Sequence, residues 1–207
     1  CTELSISYMK KIYFSLLLCT LFGCQLQNSE KKLYQLPSST AEGVQVVIEI
    51  PAGTNEKIEY NTEKKRFETD SIDGKARVIN FLPYPGNYGF IPSTYMNPEE
   101  GGDGDALDVL VISNSVETGT TMSVLPIAAL QLRDNDEMDT KIIAIPADST
   151  ARTLQATNFT QFLIEYNMAK KIIEDWFIGY KGIGQMELIG WEDEQGAMRV
   201  IEQWAVE

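Results

Sequence analysis

The 207-residue chain contains no histidine. That removes the commonest general base, the commonest transition-metal ligand and every mechanism that pairs a Ser or Cys nucleophile with imidazole. Cysteine is nearly as scarce. Cys1, Cys19 and Cys24 all precede Gln25, so the remainder of the chain has neither disulfide nor thiol chemistry. Positive charge is also short: 17 Lys and Arg stand against 30 Asp and Glu, a net charge of −13. This balance argues against nucleic acid as a partner, because phosphate backbones reward Lys/Arg surfaces. Chemistry is left to carboxylates, Lys, Arg, Tyr, water and metal. An acidic chain that handles an anion needs its carboxylates neutralised locally, and divalent cations do that.

Long hydrophobic runs are missing too. The apolar stretch Ile12–Phe22 is shorter than the roughly 20 residues needed to span a bilayer. It follows the basic start Met9-Lys10-Lys11 and has the length of a signal-peptide core. It ends in Leu21-Phe22-Gly23-Cys24, which resembles a bacterial lipobox, with cleavage before a cysteine that becomes lipidated. A buried apolar helix or plain secretion is the competing reading. Four segments are therefore expected. Residues 1–8 are an upstream artefact, 9–23 a signal peptide, 24–43 the lipidated Cys24 and a polar tether, and 44–207 one domain. The expected location is the bacterial cell envelope, periplasmic or surface-facing, with the membrane engaged through the anchor at Cys24.

Within the domain, Val44–Ile50, Arg77–Phe81, Val109–Ile112, Ser123–Leu132, Lys141–Ile145 and Met186–Trp191 read as strands. Strands at this spacing with turn signals suggest a small closed barrel. A helix over Asn158–Phe177 places Phe162, Tyr166, Ala169, Ile173 and Trp176 at helical spacing, with Asn158 as its cap. A second helix over Ala197–Trp204 puts Ala197, Val200, Ile201 and Trp204 on one side.

The richest segment is Gly102-Asp103-Gly104-Asp105-Ala106-Leu107-Asp108-Val109-Leu110. Glycines flank Asp103 and let the backbone bend tightly. Carboxylate oxygens are the ligands that hard cations such as Mg²⁺ prefer. In an extended chain Asp108 would face away from Asp103 and Asp105, so convergence requires a turn between Gly104 and Leu107. Asp134 and Asp139 bracket a second acidic hairpin, and Lys141, two positions on, points to the side of Asp139. Either segment alone is ordinarily a solvated turn. Together they would bring five or six carboxylates to one mouth, where they repel strongly unless metal ions sit between them.

These pieces, with Val47-Ile48-Glu49-Ile50-Pro51, Lys57-Ile58-Glu59, the stretch Phe81–Pro92 and Tyr180-Lys181, resemble the family I soluble inorganic pyrophosphatases over most of Val46 to Trp191. The resemblance implies an α+β, β-rich fold: a five-stranded closed β-barrel like the oligonucleotide-binding type, with two or more α-helices packed outside. It implies Mg²⁺-dependent hydrolysis of pyrophosphate, with several ions in the site. Asp103, Asp108 and Asp139 would hold a first ion, Asp108 would bridge to a second, and Asp134 with Asp139 would take one that arrives with substrate. Glu59 would assist a further metal–phosphate site. Asp105 would be the general base beside the attacking water. Lys57, Arg77, Tyr88, Lys141, Tyr180 and Lys181 would contact phosphate, and Glu49 would orient its neighbours. Ala106 stands where many members carry Pro, and Asn135 where some carry an acid. Members are usually dimers or hexamers, so a homo-oligomer is expected.

Two other functions fit parts of the pattern. One is a metal-dependent phosphohydrolase acting on short polyphosphates or nucleotides. The other is a non-catalytic Ca²⁺-binding lipoprotein, which leaves Lys57, Arg77, Lys141 and Lys181 unexplained. No proposed ligand precedes Glu49, so residues before about Gly43 are expected to be dispensable for chemistry.

Overall fold

The computed structural model describes residues 33–135 and 137–206, and the expectations for the signal segment and Cys24 lie outside them. The strands, in chain order, are β1 (Ser39–Thr40), β2 (Gly43–Ile50), β3 (Ile58–Asn61), β4 (Arg66–Thr69), β5 (Ser71–Ile72), β6 (Lys75–Ala76), β7 (Asn87–Phe90), β8 (Asp108–Val111), β9 (Thr121–Asp134), β10 (Glu137–Met138), β11 (Lys141–Pro146) and β12 (Met186–Asp193). Three α-helices complete the described residues: α1 (Phe159–Glu165), α2 (Asn167–Gly179) and α3 (Glu194–Trp204). The fold is α+β and β-rich.

β2 pairs with β7, β7 with β8, β8 with β11, β11 with β9, and β9 again with β2. All of these pairings are antiparallel except β8–β11. The strands are buried on both faces, which explains their near-continuous apolar sequence. Every residue of β11 is buried. One face sends Ile50, Leu110, Ile143 and Ile145 into a cluster with Phe162, Ile173, Trp176 and Phe177 of α1 and α2. The other sends Val46, Ile48, Val109, Val111, Ile142 and Ala144 against Ala197, Val200, Ile201 and Trp204 of α3. In β8 and β11 that alternation follows from the two-residue period of side-chain direction, whereas in β2 an irregularity between Ile48 and Ile50 turns Ile50 to the other face.

Three expectations change. The helix expected over Asn158–Phe177 is two helices. Asn158 caps the first, accepting the Gln161 N–H at 2.9 Å. The backbone then leaves helical geometry at Tyr166 (φ −125°, ψ 29°), where the tyrosine hydroxyl accepts the Gln155 N–H at 3.2 Å. The second helix runs through Gly179 rather than ending before it.

Arg77–Phe81 is not a strand. Its backbone bonds to the chain before β3 instead: Lys57 N–H donates to Arg77 O at 2.9 Å and Ile79 N–H to Asn55 O at 2.7 Å. The β-branched character of Val78 and Ile79 gave the strand signal, but the pairing stops at a single antiparallel bridge between Val78 and Glu56.

Residues 33–43, read as the end of a tether, pack on the domain. Leu33 is buried with Val47, Tyr60, Phe90 and Ala106, and β1 pairs with β2.

Candidate active site

A cavity of about 600 Å³ opens where the carboxyl end of β9, the start of β8 and β11, and the β3 segment meet. It is lined by Glu49, Lys57, Glu59, Arg77, Tyr88, Asp103, Asp105, Asp108, Asp134, Asp139, Lys141, Tyr180 and Lys181. The sequence-derived set, Cys24 apart, is thus brought together whole.

The acidic loop is shaped by its own hydrogen bonds. Gly104 adopts φ +87°, which favours glycine, and its N–H reaches Met96 O at 2.8 Å. A side chain at Gly102 would lie 2.5 Å from the Met96 carbonyl, so the close approach of the two segments requires glycine there. The Asp103 carboxylate accepts the Asp105 N–H at 3.1 Å, and Leu107 N–H donates to Thr94 Oγ1 at 2.9 Å. The chain therefore turns as convergence required. The second acidic segment is fastened to the first, because Met138 N–H donates to Gly101 O at 2.9 Å.

Carboxylate oxygens of Asp103, Asp108 and Asp139 lie within 4.8 Å of one another. Lys141 stands between two of them, donating to both Asp108 and Asp139. Its place is set by register: Lys141 is the direct partner of Asp108 in the parallel β8–β11 ladder. Burial works against its charge, but Asp108 and Asp139 outweigh it and hold its pKa well above the usual lysine value. Lys181, just beyond α2, donates to Asp134, and Lys57 to Glu59. Arg77 reaches Asp70 at 3.2 Å.

Electrostatics on the acidic face run the other way. Burial, with Asp108 adding, raises Asp103 to about 6. Asp105, at the rim, is raised by partial burial and by Asp108 and Glu59. Glu49 is nearly enclosed; burial lifts it to about 8 although it accepts the Tyr60 N–H at 2.8 Å. Adding Glu137, and leaving aside the raised Glu49, seven carboxylates face four cations among the described lining residues. A bound anion would deepen that deficit, so the site suits a polyanion only with cations present. The donor set is all oxygen, which fits a hard divalent ion.

The opposite face is aromatic. Tyr84 and Tyr88 lie 5.1 Å apart by ring centroids, Tyr84 is 4.6 Å from Trp176, and Trp176 stacks on Tyr180 at 4.8 Å and 6°. Trp176 Nε1 donates to Leu82 O at 2.9 Å. Burial raises the Tyr88 pKa, so its hydroxyl stays a neutral donor.

Sequence reasoning missed Tyr34, Tyr60, Tyr84 and Glu137, which also line the cavity. Tyr84 was visible in Pro83-Tyr84-Pro85, four residues before Tyr88. Tyr34 carried only the weak signal of Leu33-Tyr34-Gln35-Leu36, an apolar patch in a polar stretch.

The family model described as inorganic pyrophosphatase matches residues 46–207. The inorganic pyrophosphatase of Mesorhizobium japonicum is 33% identical over 164 residues, 77% of this chain and 86% of that protein. That of Saccharolobus solfataricus is 36% identical over 152 residues, 72% and 81% of the two chains. The crystal structure of an inorganic pyrophosphatase from Neisseria gonorrhoeae matches with a TM-score of 0.67 at 31% identity, covering 82% of this chain and 94% of that one. The Thermus thermophilus structure matches with a TM-score of 0.70 at 29% identity, covering 83% and 95%.

Proposed function

Because this chain belongs to family I of the inorganic pyrophosphatases and hydrolyses inorganic pyrophosphate, we propose that it does so with Mg²⁺ and with the residues gathered in this cavity. The observation that carries the reading is the convergence of Asp103, Asp108 and Asp139 within 4.8 Å in a cavity also lined by Lys57, Arg77, Lys141 and Lys181. Asp103, Asp108 and Asp139 would hold the first ion, with Asp134 and Glu59 serving further ones. Bound Mg²⁺ supplies the Lewis acidity that makes hydroxide accessible near neutral pH and offsets the charge of the substrate.

The chain's own residues do the rest. Asp105 accepts the proton of the attacking water on a carboxylate oxygen, and its raised pKa makes it a better acceptor. Lys57, Arg77, Lys141 and Lys181 clamp the phosphoryl oxygens and stabilise the charge that builds on the leaving phosphate. Tyr88 and Tyr180 donate neutral hydrogen bonds without adding charge. Glu49, fixed by the Tyr60 N–H, orients the base side of the site.

The ring of strand pairings from β2 through β7, β8, β11 and β9 supports a closed five-stranded barrel of the oligonucleotide-binding type. The basic start, short apolar run and Leu21-Phe22-Gly23-Cys24 support a lipoprotein held in the bacterial envelope through Cys24. The exposed apolar residues Ile164, Met168 and Ile172 support a homo-oligomer. Intact mass of native protein, its partition to membranes and its sedimentation test these readings.

Phosphate release from pyrophosphate, tripolyphosphate and a nucleotide, each with Mg²⁺ or Ca²⁺, tests the catalytic reading. Fast turnover of pyrophosphate with Mg²⁺ alone is the expected result. Equal rates on the nucleotide would refute the substrate assignment.

A further inference from the structure

The turn that brings the aspartates together is held from outside the acidic loop. Residues 91–96 run alongside residues 104–107, and most of the pairing is backbone to backbone. Ile91 N–H donates to Leu107 O at 2.9 Å, and Met96 N–H to Asp105 O and Gly104 N–H to Met96 O, both at 2.8 Å. The Leu107 N–H breaks that pattern and donates to a side chain, Thr94 Oγ1, at 2.9 Å. Thr94 Oγ1 donates in turn to Ile91 O at 2.6 Å. Thr94 is 5% exposed and Leu107 is fully buried, so water does not substitute for either partner.

Thr94 is itself held from behind. Tyr95 N–H donates to Trp204 O at 2.8 Å and Val206 N–H to Ser93 O at 2.9 Å, around an antiparallel bridge between Thr94 and Ala205. Ser93 N–H donates to Tyr34 O at 2.8 Å. The hydroxyl thus has a fixed place between the end of α3 and the acidic loop.

We propose that Thr94 is a positioning residue of the pyrophosphate site, its hydroxyl fixing the peptide of Leu107 and with it the directions of Asp105 and Asp108. Leu107 lies between the aspartate at the rim and the aspartate that begins β8. A hydroxyl suits this place because its one donor and a lone pair are used at once, on Ile91 O and on Leu107 N–H. Valine has nearly the same shape and neither function. With valine the Leu107 N–H is buried without an acceptor, and the peptide turns to find one. That turn re-aims Asp105 and spreads the cluster of Asp103, Asp108 and Asp139, now within 4.8 Å. Thr94 lines the cavity, yet it acts through Leu107 rather than on substrate. The inference rests on the pyrophosphatase reading of the same cavity.

The test uses the full-length chain with Thr94→Val and Thr94→Ser. It measures kcat and KM for pyrophosphate with Mg²⁺, Mg²⁺ affinity by calorimetry, and Tm, with rates taken well below each Tm. Thr94→Val is expected to lower kcat and Mg²⁺ affinity about tenfold or more, the scale of losing a group that orients metal ligands. Thr94→Ser keeps the hydroxyl and loses only a methyl group. Its kcat and Mg²⁺ affinity should stay close to wild type, while Tm falls.

A threonine that merely stabilises the fold would lower Tm in both variants and leave kcat of the folded enzyme untouched. Wild-type kcat and Mg²⁺ affinity in Thr94→Val therefore overturn the proposal, and so does a Thr94→Ser variant as impaired as Thr94→Val. If Thr94→Val does not fold, Thr94→Cys takes its place, with a thiol that accepts hydrogen bonds only weakly. Its kcat should lie below that of Thr94→Ser, and equality overturns the proposal. A wild-type chain that binds Mg²⁺ but leaves pyrophosphate intact would instead overturn the pyrophosphatase reading, and the Mg²⁺ affinities of the variants would still decide the role of Thr94.

Discussion

The two faces of the cavity are built on opposite principles. The acidic face, from the loop before β8 and the β9–β10 hairpin, gathers like charges against their own repulsion, and burial raises Asp103 and Asp105 from their ordinary values. The aromatic face, Tyr84, Tyr88 and Tyr180 backed by the buried Trp176, is neutral and closes on itself through ring contacts and the Trp176–Leu82 hydrogen bond. One face is poor in intrinsic stability and becomes favourable when a cation arrives. The other is stable without any ligand. Function is placed where the fold is electrostatically stressed, and the rigidity that holds the geometry comes from across the cavity.

The largest expected effect comes from removing the cation that the acidic face needs. Exhaustive chelation should abolish pyrophosphate hydrolysis and lower Tm, and Mg²⁺ should restore both. Ca²⁺ should bind yet support little turnover, because its longer and looser coordination spoils the geometry of attack. Full activity in excess chelator would break the contrast.

Within the acidic face, Asp105→Asn should slow turnover about 10²–10⁴-fold with Mg²⁺ affinity preserved. Asp108→Asn should weaken Mg²⁺ binding as well. Calorimetric titration beside steady-state rates separates the two, and near wild-type turnover in Asp105→Asn would show that the base is another group.

On the aromatic face, Trp176→Ala should act through stability. Trp176 is 3% exposed and touches Tyr84, Phe177 and Tyr180, so its truncation should cost about 3–5 kcal/mol. Denaturant unfolding measures this. Mg²⁺ affinity of the remaining folded protein should be retained, and its loss would show that the two faces are less separable than their chemistry suggests.

The smallest effect concerns Glu49, which is raised to about 8 by burial. In metal-free protein the native state keeps a proton on Glu49 that the unfolded chain has already released. Stability from this group is present below the unfolded value near 4.5 and is lost as pH rises through about 8. Chelated wild type should therefore melt at a lower temperature at pH 8 than at pH 5. Glu49→Gln should flatten that dependence by about 5 °C or more. An unchanged slope would assign the pH response to Asp103 instead.

Several parts of this molecule could be read directly from the chain. The absence of histidine and the Gly102–Asp108 segment selected carboxylate and metal chemistry. The continuous apolar runs of β2, β8 and β11 marked strands buried on both faces, and Ala197, Val200, Ile201 and Trp204 marked the inner side of α3. Asn158 announced the start of α1. These features have local causes, in residue type, spacing and backbone preference, and local causes survive in a linear sequence.

Other parts were settled only when distant segments met. The parallel register that sets Lys141 opposite Asp108 is a choice between strands 33 residues apart. The hairpin bond from Met138 to Gly101 locks the two acidic segments together. Val78 and Ile79 have strand character but find only a single bridge, between Val78 and Glu56. The helical pattern through Tyr166 breaks where a tyrosine hydroxyl serves another segment. Tyr34, in a stretch that reads as a tether, reaches the site because Phe90 offers a flat apolar surface and Ser93 offers two hydrogen-bond donors. The chain determines which groups are available and the local shape of most elements. Which groups share a cavity depends on pairing and packing energies between segments far apart in sequence, and no local period encodes them.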